Sequence, residues 1–183
     1  MLNLLRFTML TLTLCSAGQA ATSTSPAVHP GQVFREAATG TLFAAQQGNG
    51  IDFNLWFDPA GPKAPRLILS RAALPATNLI VGADFGKGNT VYALVQRELT
   101  RQRSEQDVFA LDRVYGTRTM LFRLSTLGLQ TAVGESFRYD PSTDRVVFTA
   151  SKAARINGQV GMVSSTYSYG PIASKTRTLL KIQ

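Results

Sequence analysis

The 183-residue chain carries 19 Lys and Arg against 11 Asp and Glu, a formal charge of +8, with one cysteine and one histidine. That inventory excludes an intrachain disulfide and a cysteine- or histidine-rich metal centre. It also argues against Ser-His-Asp and Cys-His catalysis, because His29 lies near the start of the chain.

The first element is an export signal. Met1 to Arg6 holds one positive charge and no acid, an apolar run follows from Phe7 to Cys15, and small residues Ser16, Ala17 and Gly18 close it. Gly18 and Ala20 supply small side chains for cleavage after Ala20, so residues 1–20 are expected to be removed. Lipid attachment at Cys15 is disfavoured, because Leu14 stands where that motif wants a small residue. No later segment is apolar for long enough to cross a bilayer as a helix, which takes about 20 residues.

Loss of residues 1–20 removes Arg6 and no acid, so the mature chain stays strongly basic. Such an excess suits anionic partners: acidic polysaccharide, anionic lipid, an envelope surface or released nucleic acid. Export argues against genomic DNA. Residues 21–32 are small, polar and proline-containing and read as a flexible tail. A single β domain is expected over 33–183, in a periplasmic or secreted protein.

Within that domain Ile51, Phe53, Leu55 and Phe57 alternate with Asp52, Asn54 and Trp56. Short apolar runs follow at 67–69, 79–81, 91–95, 146–148 and 179–182, separated by Gly, Pro, Asn and Asp, as strands should be. The stretch from Arg97 to Asp107 is polar and reads as a loop. Asp58, Asp84, Asp112 and Asp140 recur at spacings of 26, 28 and 28 residues, each ahead of a turn and an apolar run. Asp bonds its own following backbone and Pro or Gly supplies the turn torsions, so the spacing predicts a chain of hairpins.

Two hairpins make a unit of 54 to 56 residues, in which Ala83-Asp84 through Ala93 matches Tyr139-Asp140 through Thr149. In these stretches the chain resembles the blades of exported β-propeller proteins, where an Asp-Pro turn commonly precedes an apolar strand. A propeller closes with roughly four to eight blades, and fewer than three such units fit here. The expected fold is therefore an all-β antiparallel meander, with a barrel or sandwich favoured and an incomplete or oligomer-completed propeller as the alternative.

Few groups suggest chemistry. Gly86-Lys87-Gly88 lacks the strand-loop-helix setting of a phosphate loop. Glu36, Asp52, Glu135 and Asp144 are the acids least committed to turns or charged loops, and nothing in the sequence pairs them for glycosidase work. Asp140 and Asp144 are better explained by their turn than by calcium. No cofactor and no metal are expected. Trp56, Tyr115 and Tyr139 are candidates for aromatic contact with a ligand, Trp56 because it alternates out of phase with the apolar face or else is buried against a second layer. Arg97, Arg101 and Arg103, the densest local positive charge, are candidates for binding anions. The sequence thus favours a non-enzymatic exported binding or envelope-associated protein with a basic surface, and leaves a carbohydrate-active or other carboxylate-dependent hydrolase as the alternative.

Overall fold

The structure, a computed structural model, describes residues 29–46, 53–70, 78–100 and 103–182. The export signal, most of the tail, Ile51, Asp52 and Arg101 lie outside the described residues. The chain is all-β: twelve described strands form three four-stranded antiparallel sheets, each a meander of neighbours in sequence. Sheet 1 holds β1 (His29–Ala37), β2 (Gly40–Gln46), β3 (Phe53–Pro59) and β4 (Arg66–Leu69). Sheet 2 holds β5 (Asn78–Phe85), β6 (Thr90–Thr100), β7 (Arg103–Asp112) and β8 (Arg118–Arg123). Sheet 3 holds β9 (Arg138–Asp140), β10 (Arg145–Ile156), β11 (Gln159–Gly170) and β12 (Thr178–Lys181). The described strands do not close into a barrel; the hairpins build three separate sheets instead.

Two sequence expectations are corrected. The first described strand starts at His29, in the segment read as tail. The supposed loop 97–107 is largely strand, because β6 and β7 continue as a hairpin in which Arg97 lies opposite Glu105 and Glu98 opposite Ser104. Cross-strand charge pairing stabilises polar strands that carry no apolar alternation.

Sheet 2 sits between the other two, and its sequence shows why. Val91-Tyr92-Ala93-Leu94-Val95 is apolar without interruption and buried throughout, as a strand covered on both faces requires. Successive side chains point to opposite faces. Val91, Ala93, Val95 and Leu111 pack with Leu42, Leu55 and Phe57 of sheet 1. Tyr92, Leu94, Val108 and Phe122 pack with Tyr139, Val146, Phe148 and Tyr167 of sheet 3. Each fully buried side chain of this kind contributes about 1.5–3 kcal/mol.

Between sheets 2 and 3 the chain runs through two short 3-10 turns, Leu124–Leu127 and Gly134–Ser136. Gln106 fastens this crossing by accepting from the Ala132 N–H and donating to its carbonyl. At Gly134 the crossing presses against β5 so closely that a Cβ would lie 1.8 Å from the Val81 carbonyl oxygen. Only glycine permits that approach.

Candidate functional site

The first strands of the three sheets come together: β5 touches β1 on one side and β9 on the other. Asp84 joins all three. Its Oδ1 accepts from the Phe85 N–H at 2.8 Å and pairs with Arg35 Nε of β1 at 3.1 Å. Its Oδ2 accepts from the Tyr139 N–H of β9 at 2.7 Å. Asp84 is 3% exposed, so these partners replace the water it would otherwise require. The sequence assigned Asp84 to a turn; the structure makes it a bridge between sheets. Asp112 and Asp140 do hold turns, Asp112 through the N–H groups of Val114 and Tyr115, and Asp140 through Ser142 and Thr143. The latter bonds lower the Asp140 pKa to about 2.

Around the Asp84 junction lies a cleft of about 410 Å³, lined among others by Gln32, Arg35, Glu135, Arg138, Thr149 and Thr166. It adjoins a hollow of about 720 Å³ that shares Gln32, Val81, Gly134 and Glu135 and adds apolar walls from Leu79, Ile80 and Val133. Glu135 and Arg138 are exposed. The cleft therefore offers guanidinium, amide, hydroxyl and carboxylate groups beside an apolar surface.

A second polar node closes the far side of β9. Tyr139 donates its hydroxyl proton to Asp144 Oδ1 at 2.6 Å, the Ala173 N–H donates to Asp144 Oδ2 at 2.8 Å, and Lys87 Nζ lies 3.6 Å from Oδ1. The hydrogen bond from Tyr139 is the main cause of a lowered Asp144 pKa. Burial, then the bond to Asp144, raises the Tyr139 pKa. Asp144 takes a left-handed backbone, φ 54°, as Asp does more readily than most residues. Among the described residues no three His, Cys, Asp or Glu side chains gather to hold a metal ion.

The sequence-derived candidates are scattered. Trp56 is 6% exposed, in a small cluster with Phe43 and Ala45 on the face of sheet 1 turned away from sheet 2. Its indole N–H has no hydrogen-bond partner among the described residues. Tyr139 is buried, its ring 5.0 Å from Tyr92 and its hydroxyl committed to Asp144. Neither offers a ring to a ligand, because core packing claims both. Tyr115 is 80% exposed on the turn between β7 and β8. Arg97 donates to Glu105 at 2.6 Å, and Glu105 also lies 3.5 Å from Arg123, which bonds Asp107. This ladder neutralises Arg97. Arg103 begins β7. Trp56, Tyr115, Tyr139 and Arg97 are not among the described residues that line the central cleft. Arg35 and Arg138, which do, have no local signal in the sequence: they reach one cleft because β1 and β9 both pack against β5.

No known family model matches the chain, and a search of curated proteins returns no match.

Proposed function

We propose that this chain is a non-enzymatic exported binding protein with a basic surface, which holds a polar or anionic ligand of the cell envelope at the meeting point of its three sheets. The Asp84 junction carries the reading. It fixes the first strands of all three sheets beside a cleft where Arg35 and Arg138 face one exposed carboxylate, Glu135. A rigid frame with adaptable polar groups at its rim suits recognition. The three successive meanders, with their first strands adjacent, also support reading them as propeller-type blades, to which further copies of the chain would add.

The test is retention of the mature chain on an anionic polysaccharide matrix, with salt raised stepwise. Retention should weaken as salt screens the charges, and Arg138→Ser should elute earlier than the parent. Elution unchanged by Arg138→Ser would remove the cleft from the reading. If the protein hydrolyses the polysaccharide and Glu135→Gln abolishes this, the hydrolase alternative replaces it. Export is tested by the amino terminus of protein from its native host, expected near Ala21; intact Met1 in a soluble cytoplasmic form would overturn it.

A further inference from the structure

The central cleft is not the only concave surface, and another carries a more specific chemistry. Where the turns of sheets 1 and 2 meet, a depression of about 390 Å³ is lined by Lys63, Arg66 and Arg113, with Thr39, Asn89, Val114 and others, and with no Asp or Glu. None of these three cations pairs with a carboxylate of the described residues. We propose that this depression binds the dianionic phosphate of a small phosphorylated molecule. The inference deepens the binding reading by giving one ligand class to a second place on the basic surface.

The site is built from both sheets. Phe57 is the cross-strand neighbour of Arg66 in sheet 1, and the Arg113 guanidinium from sheet 2 lies 4.9 Å above the Phe57 ring and 6.0 Å from that of Phe85. Arg113 also donates from Nη2 to the Gly88 carbonyl at 3.1 Å. The aromatic faces and this bond hold the guanidinium in place before a ligand arrives, which lowers the entropy lost on binding. Arg113 is half-buried, while Lys63 and Arg66 are exposed and free to close on a ligand.

The neighbouring acids are turned elsewhere. Asp58 alternates with Phe57 and so lies on the opposite face of sheet 1. Asp112 is engaged by the N–H groups of Val114 and Tyr115.

Charge decides between anions. A carboxylate would leave two of the three cations uncompensated, whereas a phosphate ester brings a charge of about −1.5 to −2 and three acceptor oxygens. Arginine can grip two of those oxygens in parallel. The volume falls within the range for small-molecule sites, roughly 300–1,000 Å³.

Calorimetric titration of the mature chain with glucose 6-phosphate, inorganic phosphate, glucuronate and glucose tests the site. Glucose 6-phosphate should bind, glucuronate should bind about tenfold more weakly or worse, for want of one charge-assisted bond, and glucose should give no heat. Inorganic phosphate binding as well as the ester would assign recognition to the phosphoryl group alone; weaker binding would add a contribution from the sugar. Lys63→Ser/Arg66→Ser changes two exposed side chains and should weaken the ester about tenfold or more without altering the thermal melt. Arg113→Gln should weaken the ester as much.

Glucuronate binding as tightly as the ester, or an unchanged titration of the folded double variant, would overturn the proposal. Retention of the parent on the polysaccharide matrix, with no phosphate titration, would remove this site and leave the binding reading standing. Phosphate titration without matrix retention would do the reverse.

Discussion

The two interfaces that sheet 2 makes are built from different materials. Toward sheet 1 the layer is mostly aliphatic, Leu42, Leu55, Ile68, Ile80 and Val95, with Phe57 and Phe85 edge to face at 5.9 Å. Toward sheet 3 it is aromatic. Phe122 stacks on Phe148 at 5.7 Å and meets Tyr169 at 4.1 Å, while Tyr92 lies against Tyr139. Polar fasteners border that side as well: Asp84 to the Tyr139 N–H, Tyr139 to Asp144, and Gln106 to Ala132. Aliphatic packing is tolerant of small changes, whereas aromatic stacking with directed hydrogen bonds admits fewer arrangements. The sheet 2–sheet 3 half should therefore be the more uniquely specified, and the sheet 1–sheet 2 contact the more forgiving.

Paired core truncations give the strongest test of that contrast. Leu94→Ala, toward sheet 3, and Leu55→Ala, toward sheet 1, remove the same atoms from fully buried sites; each should cost about 2–5 kcal/mol, with the Leu94 loss the larger. Urea unfolding reads both. Equal losses would erase the distinction between the layers.

Asp84 divides the two sides more finely. Asp84→Ala strands the buried Tyr139 N–H and should cost about 1–3 kcal/mol. Its partner Arg35 is 53% exposed, so Arg35→Ala should cost no more than about 1 kcal/mol. If the two variants lost the same stability, the bond toward sheet 1 would outweigh the one toward sheet 3.

The smallest expected effect is in acid. Asp140 is held at about 2 by Ser142 and Thr143, and Asp144 is lowered chiefly by Tyr139. Folded values below the unfolded one, about 3.9, mean that both carboxylates stabilise the fold above that pH and lose the contribution as pH falls through their folded values, which for Asp140 is about 2. Both flank the turn between β9 and β10, so the Tyr92 and Tyr139 surroundings should loosen before sheet 1 does. Near-ultraviolet circular dichroism of the parent and of Asp144→Asn checks this. The variant should show a shallower acid loss, and an identical profile would detach Asp144 from it.

Local patterning made the fold class legible. The apolar runs at 67–69, 79–81, 91–95 and 146–148 all lie within strands, and the run 179–182 overlaps β12. β11 escaped the reading because Gln159–Gly170 is rich in Ser, Thr and Gly, which do not mark a covered strand, although Ser165 and Ser168 are buried in it. A signal was nonetheless present: Asn157 and Gly158, with φ of 51° and 81°, form the two-residue turn that joins β10 to β11. The candidate sites were hardly legible. Charge density along the chain singled out Arg97, which the neighbouring strand neutralises. Lys63, Arg66 and Arg113 are dispersed in sequence and meet only when Phe57 packs beneath Arg113.

The Asp84 junction also bears on the order of assembly. Each sheet pairs strands that follow one another in the chain, so the meanders close short loops and can form early. The bond from Tyr139 to Asp84 spans 55 residues, and it cannot form until two meanders exist and have met. Interactions that arise after the rate-limiting step act mainly on the rate of unfolding. This carboxylate thus serves as a latch on the finished molecule, governing how long three docked sheets stay together more than how quickly they find one another.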